Sequence, residues 1–374
     1  MMDKVKIGMV GCGNISGIYL KNLTQTFANT EVFACADLDP VKAKLAAEAY
    51  SIPHVMSTEE LLACEEIRIV VNLTTPQSHY AVCKQALEAD KHVYVEKPLS
   101  LSFDEGTELV RLAKERDLFI GGAPDTFLGA GLQLCRKLID DGYIGDPVAA
   151  SAFMVCHGHE SWHPDPEFYY QTGGGPMFDM GPYYLTALVS LLGPAKTVCG
   201  MTRTTFPQRT ITSEKKFGKL IDVEVPTHVT GTILFHCGAI ATMITSFDVW
   251  SSTLPRIEIY GSLGTLIVPD PNNFGGSVRL KPAGQDDFKE IPLLHPYAEN
   301  SRGIGVADMA RCIQTGDTPR ANGTMANHVL EIMHAFHVSS DSKQYAELES
   351  TCERPNPLPL GLMKGYLQSV RTLS

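Results

Sequence analysis

Residues 5–17 read VKIGMVGCGNISG, an apolar run that breaks into a glycine-rich turn and then into a helical pattern carrying Tyr19, Leu20 and Leu23. Val5 to Val10 has the composition of a buried strand, and glycines at 11 and 13 permit a tight turn and the close approach of a phosphate to the backbone. Ser16 takes the third position of the pattern, where a small residue lets helix and strand pack. Alone, such a pattern is weak. It gains weight from lying between a strand and a helix, and from a second strand, Val32 to Ala36, that ends in Asp37 at the interval a dinucleotide fingerprint requires. A carboxylate there accepts both ribose hydroxyls of an adenosine, and Leu38 offers no cation for a 2′-phosphate, so the turn reads as an NAD site in preference to NADP. Gly11, Gly13, Asn14, Ile15, Asp37 and Leu38 are the cofactor residues on this reading.

The alternation continues downstream. Ser57 with Glu60 forms a capping-box pattern before a short helix, Ile67 to Leu73 is a strand, and Thr74-Thr75-Pro76 ends it at the same sheet edge. Ser78 to Ala89 has helical periodicity. His92 to Val95 is a further buried strand, which stops abruptly at Glu96-Lys97-Pro98 and so places Lys97 where open α/β sheets bind their ligands. Ser102 with Glu105 repeats the capping box, and Leu118-Phe119-Ile120 is read as a sixth strand. Strands alternating with helices describe a complete dinucleotide-binding domain over residues 1–123.

With 374 residues the chain exceeds what one core usually serves, so a second domain over 124–374 is expected. No apolar run is long enough to span a bilayer, and no leader pattern precedes the first strand. The ten cysteines lie scattered without paired spacing, which fits a reducing, cytoplasmic setting better than a disulfide framework. A net charge of −11 argues against a nucleic-acid partner.

After Pro124 the pattern changes. Asp125 or Thr126 is expected to cap a helix carrying Leu128, Leu132, Cys135, Leu138 and Ile139, closed by Gly142. Strands then dominate: Ala149 to Val155, His228 to His236, Ala239 to Phe247, Arg256 to Tyr260 and Thr265 to Val268. Turns at Cys237-Gly238 and Gly261 to Gly264 suggest antiparallel pairing, hence an α+β domain with a large open sheet. Two late helices, through Val306, Met309, Ala310 and Ile313 and through Val329, Leu330, Met333 and Phe336, are expected to return to the first domain. The proline-rich tail from Glu353 to Leu360 reads as an extended arm.

One segment of the second half is chemically dense: His157-Gly158-His159-Glu160-Ser161-Trp162-His163, then Phe168-Tyr169-Tyr170, then Gly173-Gly174-Gly175-Pro176-Met177-Phe178-Asp179, and Tyr183-Tyr184. A helix is expected from about Met180 to Gly193, with Asp179 either its N-cap or on one face with Tyr183. The three histidines match no common zinc spacing, so no metal is expected. Hydroxyl, imidazole and aromatic groups suit a polyol, with His159, Trp162, Tyr170 and Tyr183 as substrate contacts.

Together these motifs resemble, in order and over nearly the whole chain, the family of glucose-fructose oxidoreductases and inositol dehydrogenases. The resemblance rests on Gly11-Cys12-Gly13-Asn14-Ile15, Thr75-Pro76 with His79, Glu96-Lys97-Pro98, and the glycines leading to Asp179. It implies NAD(P)-dependent oxidation or reduction of sugars and cyclitols, an open sheet used for dimer or tetramer contacts, and cofactor contacts at Thr74, Thr75, Pro76, His79, Glu96 and Lys97. It also implies that Lys97 and Asp179 meet in the cleft. Many members carry histidine four residues after the aspartate as proton acceptor, and this chain has Tyr183. Oxidising a secondary alcohol needs a base for the hydroxyl proton. Tyrosine, with a pKa of about 10, needs a neighbouring positive charge to serve. The expected arrangement makes Lys97 the central acid/base, with Asp179 and Tyr183 positioning the substrate hydroxyls and His163 contributing a hydrogen bond or taking over the proton. Two alternatives accompany it: a non-catalytic regulator that binds NAD and sugar, since the family also contains a non-enzymatic repressor of galactose genes in yeast, and a glycoside-cleaving enzyme that recycles bound NAD.

Overall fold

The computed structural model describes residues 4–367. Its first sheet runs through β1 (Val5–Val10), β2 (Thr30–Ala36), β3 (His54–Val55), β4 (Ile69–Asn72), β5 (His92–Val95) and β6 (Ile120–Gly122). All pairs are parallel, in the order β3-β2-β1-β4-β5-β6. The chain reverses direction between β1 and β4, so the crevice above their carboxyl ends is where ligands bind in such sheets. β4 and β5 are buried throughout, as a sheet covered on both faces demands. Helices α1 (Ser16–Gln25), α2 (Pro40–Tyr50), α3 (Thr58–Ala63), α4 (Pro76–Glu88) and α5 (Phe103–Glu115) connect the strands. Both expected capping boxes form: Ser57 and Glu60, and Ser102 and Glu105, each exchange side-chain and backbone bonds. The sixth strand of the reading is β6, and two-residue β3, which no expected segment covered, completes the count.

The second sheet has nine strands in the order β16-β15-β14-β13-β7-β12-β11-β8-β17. These are β7 (Pro147–Val155), β8 (Ala195–Arg203), β11 (His228–Phe235), β12 (Ile240–Ser246), β13 (Ile257–Gly261), β14 (Gly264–Val268), β15 (Val278–Pro282), β16 (Lys289–Ile291) and β17 (Ala346–Glu347). A separate hairpin pairs β9 (Gln208–Thr210) with β10 (Leu220–Asp222). Pairing is antiparallel except where β7 meets β12, which run parallel, so the sheet is mixed and mostly antiparallel. Along β12, Ala241, Met243 and Thr245 are buried while Ile240 and Thr242 are exposed, the alternation of a sheet covered on one face.

Helices α6 (Ala130–Asp140), α7 (Gly175–Leu192), α8 (Ile304–Thr315) and α9 (Gly323–Ser342) complete the fold. Two expectations about them change. Asp125 caps neither α6 nor the short 3-10 turn before it; its carboxylate accepts from the backbone N–H of Gly303 at 2.9 Å and Gly305 at 3.1 Å, at the start of α8. α7 begins at Gly175, five residues before the expected start, because Pro176 is suited to a first helical turn. Asp179 therefore lies inside the helix and is not its N-cap, and Pro182 falls in the helix interior. Both α8 and α9 pack against β6 of the first sheet, α9 lying against both α5 and β8. The segment from Glu353 is extended: Arg136 holds the carbonyl of Pro355 at 2.7 Å, and Gln133 accepts from the N–H of Leu358 at 2.7 Å. None of the described helices is long and apolar enough to cross a membrane.

Candidate active site

Four strand ends supply the cofactor side of the crevice. Gly11 turns at φ +98°, and a Cβ there would stand 2.7 Å from the Leu73 backbone, so the fold itself requires glycine. Gly13 differs: nothing in the chain lies within 4 Å of where its Cβ would be. The fold leaves that space open, as a bound phosphate needs. α1 starts beside it at Ser16, with Ile15 at the N-cap giving no side-chain cap and no acidic residue in the first turn, so its N–H groups and dipole face outward as an anion site. At the end of β2, the two Asp37 oxygens accept from the N–H of Cys12 at 2.7 Å and Asp39 at 2.8 Å, which fixes the carboxylate against the turn. Leu38 is fully exposed. At the end of β4, Asn72 accepts from the hydroxyl and N–H of Thr74, and exposed Thr75 precedes Pro76 at the start of α4. These residues fit an NAD-type dinucleotide.

His79 is 1% exposed and does not open into the crevice. Its two ring nitrogens face the carbonyls of Pro98 at 2.7 Å and Thr74 at 3.1 Å, so it ties the ends of β4 and β5 together. Buried Glu96 serves the same end. It accepts from the Tyr19 hydroxyl at 2.8 Å and from the Lys97 N–H at 2.9 Å. The Lys97–Pro98 peptide is cis.

From this brace Lys97 reaches across to α7. Its ammonium donates to the Asp179 backbone carbonyl at 2.7 Å and to the Asp179 carboxylate at 3.0 Å. His159 Nε2 lies 3.3 Å from the other carboxylate oxygen. Burial alone would raise the Asp179 carboxyl, but the Lys97 charge and the His159 hydrogen bond prevail and hold it at about 2. Burial likewise opposes the Lys97 ammonium, yet Asp179, Tyr183 and Glu96 together raise its pKa. Both partners are therefore charged across the neutral range.

Tyr183, one turn after Asp179, presents its ring to Lys97 with the ammonium 5.5 Å from the ring centroid, and Arg302 bonds its hydroxyl. For Tyr183 to serve as a base, a neighbouring positive charge would have to bring this phenol down. Burial pushes it up instead, and the charges of Lys97 and Arg302 do not reverse the direction.

These groups line a cleft of about 450 Å³, shared with His159, Trp162, Tyr169, Tyr184, Arg256, Asp270, Asn272 and Arg302, a size usual for small-molecule sites. His163 and Tyr170 are not among the lining residues. His163 accepts from the Asp165 N–H at 3.1 Å and packs on Phe168 and Tyr169. Tyr170 is fully buried and donates to Glu160, which pairs with Arg209 at 2.7 Å while Arg209 also holds Asp248 and the Phe247 carbonyl. That buried ionic network braces the loop from which His159 and Trp162 project. The histidines diverge, His157 stacking on Trp250, and no described group of His, Cys, Asp or Glu is placed to hold a metal. Asn272 and Arg302 escaped the sequence reading because they sit in connecting segments with no motif around them, and Arg256 enters it only as the first residue of an expected strand, one position before β13 begins.

Comparison with known proteins completes the picture. Residues 5–121 match the model of an oxidoreductase family with an NAD-binding Rossmann fold, and residues 132–267 that of the GFO/IDH/MocA C-terminal domain. A dTDP-3,4-didehydro-2,6-dideoxy-alpha-D-glucose 3-reductase of Saccharopolyspora spinosa is 27% identical over 88% of this chain and 95% of its own length. A myo-inositol 2-dehydrogenase of Thermotoga maritima is 22% identical over 92% of this chain and 99% of its own. Among solved structures, levoglucosan dehydrogenase in complex with NADH and levoglucosan superposes with a TM-score of 0.80 at 19% identity, covering 92% of this chain and 99% of that one.

Proposed function

The chain belongs to the NAD-binding GFO/IDH/MocA oxidoreductase family, and from that premise we propose that it transfers a hydride between NAD(H) and a secondary hydroxyl carbon, or the matching ketone, of a sugar, glycoside, sugar acid or cyclitol. The observation that carries this reading is the Lys97–Asp179 pair, formed where the carboxyl end of β5 meets α7 and open to the cleft. NAD, when bound, supplies the hydride chemistry. Asp37 would hold its adenosine ribose and Gly11 to Ile15 its pyrophosphate, while His79 and Glu96 keep the Lys97 turn in place. The half-buried carboxylate of Asp37 and the absence of a cation at Leu38 favour NAD over NADP. Residues 1–123 form the cofactor half and 124–374 shape the substrate half. The uncovered sheet face, with exposed Met201 and Ile240, supports a homodimer or homotetramer.

Lys97 directs an N–H at the substrate oxygen and is the proton donor or acceptor. Asp179 fixes its position and keeps it charged. Tyr183, held protonated by burial, donates to the same oxygen or its neighbour. His159 and Trp162 close the far side of the sugar. Reduction uses the protons already in place, whereas oxidation first requires Lys97 to release one.

The test is absorbance at the reduced-nicotinamide band with NAD and a panel of glucosides, free sugars, sugar acids and inositols. A signal in the wild-type protein that vanishes in Lys97→Ala is the expected result. Normal turnover by Lys97→Ala would overturn the assignment.

A further inference from the structure

Arg302 carries a positive charge into the cleft wall without a negative partner. Its guanidinium donates to the side-chain oxygens of Asn300 at 3.0 Å and Asn272 at 2.7 Å, and to the Asn272 carbonyl at 3.4 Å. It also bonds the Tyr183 hydroxyl and lies 5.9 Å from the Phe274 ring centroid. Each of these partners is neutral, and none of the described carboxylates forms an ion pair with it. After Tyr183, the carboxylate that acts on it is Asp125, which is already engaged by Gly303 and Gly305. The other cations of the cleft are matched, Lys97 by Asp179 at 3.0 Å and Arg256 by Asp270 at 3.8 Å. Among the residues that line the cleft, three cations stand against two carboxylates, which leaves one positive charge over. A guanidinium cannot shed its proton to escape a low-dielectric wall, and a desolvated charge left unpaired is costly.

We propose that the substrate supplies the missing charge: the cleft selects an anionic sugar, a carboxylate-bearing one, and Arg302 is the residue that reads it. The inference rests on the hydride-transfer reading above and narrows its substrate class. Because Arg302 reaches the Tyr183 hydroxyl while Lys97 covers the face of the same ring, a carboxylate on Arg302 stands about one ring's breadth from the oxygen at Lys97. A pyranose spans that gap. The planar fork of arginine matches a carboxylate in two parallel hydrogen bonds. A single surplus charge also balances a carboxylate better than a doubly charged phosphate. Asn272 and Asn300 orient the fork without neutralising it, which leaves its charge for the ligand.

The experiment compares D-glucuronate, D-galacturonate and D-gluconate with D-glucose, D-galactose, myo-inositol and glucose 6-phosphate. Binding is measured by calorimetry on the enzyme–NADH complex, and hydride transfer is followed by absorbance, in the wild type, Arg302→Gln and Arg302→Lys. At least one carboxylate should bind on the order of 30- to 100-fold more tightly than its neutral counterpart, the worth of hydrogen bonds to a charged group. Arg302→Gln should erase that ratio, Arg302→Lys should recover part of it, and NADH affinity should hold in both. Equal binding of neutral and acidic sugars, no binding of any carboxylate, preference for glucose 6-phosphate, or loss of NADH affinity in Arg302→Gln would each overturn the proposal. Should a neutral sugar turn over with no acid preference, the hydride-transfer reading survives and this inference fails. Should an acid bind through Arg302 yet never exchange a hydride, the reverse holds.

Discussion

Lys97 binds Asp179 twice, through the backbone carbonyl at 2.7 Å and through the carboxylate at 3.0 Å. The double contact fixes the ammonium to one turn of α7, and removing the carboxylate leaves a buried charge half-satisfied. Asp179→Ala should lower stability by about 3 kcal/mol, the lower end for breaking a buried pair. It should also cut kcat/KM by on the order of a hundredfold, the scale of a displaced acid/base. Denaturant titration and initial rates measure both, and a variant that is stable and fully active would show that the pair is dispensable.

His159 and His163 lie four residues apart, but only His159 reaches Asp179 and lines the cleft. His159→Ala should reduce kcat/KM by roughly tenfold or more through loss of a charge-assisted contact, whereas His163→Ala should leave it nearly unchanged. The opposite ranking in steady-state kinetics would restore His163 as a proton acceptor.

The glycines of the first turn separate folding from binding. Gly11→Ala meets both a left-handed φ and the Leu73 backbone, so a loss of about 1–3 kcal/mol is expected. Gly13→Ala meets no atom of the chain and should keep its melting temperature while NADH affinity drops. Fluorescence titration with NADH beside a thermal melt distinguishes the two, and unchanged NADH binding by Gly13→Ala would remove the pyrophosphate from that turn.

Asp37 and the exposed Leu38 set the cofactor preference. The double variant Asp37→Ser with Leu38→Arg removes a carboxylate that repels a 2′-phosphate and adds a cation that attracts it. The ratio of NADH to NADPH dissociation constants should fall by at least about tenfold, since one charge contact is worth more than 1.4 kcal/mol in a site of this kind. A ratio that does not move would place the adenosine ribose elsewhere.

Asp125 gives the protein a pH signature. Burial pushes its carboxyl from 3.8 up to about 6 despite the two N–H groups it accepts from. A carboxyl raised by folding is one the folded state prefers to keep protonated. Its stabilising contribution is complete below about pH 4 and is lost as pH rises through about 6, a change of about 3 kcal/mol at 1.4 kcal/mol per unit. Asp179, held at about 2, acts in the opposite sense and withdraws stability only as pH falls below about 4. Asp125→Asn keeps an acceptor for Gly303 and Gly305 and cannot ionise. Its stability relative to the wild type should therefore improve between pH 4 and 7, and parallel denaturation curves across that range would contradict the assignment.

The parts of this molecule that could be read from sequence are those whose chemistry is local. The turn at Gly11 to Ile15, the carboxylate after β2, both capping boxes and Lys97 after β5 each depend on a few consecutive residues, and each stands where its pattern puts it. What escaped depends on distant chain. Asp125 has the look of an N-cap for the helix that follows it, but caps one that starts at Ile304. Tyr169 and Tyr170 are adjacent and chemically alike, yet a single 3-10 turn sends one to the cleft and the other to Glu160. Strands β8, β9, β10, β15, β16 and β17 were missed, and the parallel pairing of β7 with β12 follows from sheet order, which no local pattern encodes. Arg302 lies in a loop, and its lack of a counter-charge shows only once its neighbours are known.

The return of α8 and α9 to the first sheet also bears on the order in which the protein can be made. The Gly122 N–H bonds the Ala321 carbonyl at 3.2 Å, Gly121 bridges to Asn322, and the Asn29 amide holds the Ala307 carbonyl at 2.8 Å. Gly305 sits so close to Tyr94 that a Cβ there would lie 2.5 Å from its hydroxyl oxygen. During synthesis, then, the first sheet leaves the ribosome long before the helices that seal its β6 edge. A nascent chain halted before residue 304 would carry a greasy, unfinished flank, a natural target for chaperones. Cofactor binding to such a chain should fail even with every residue of the nucleotide turn already made.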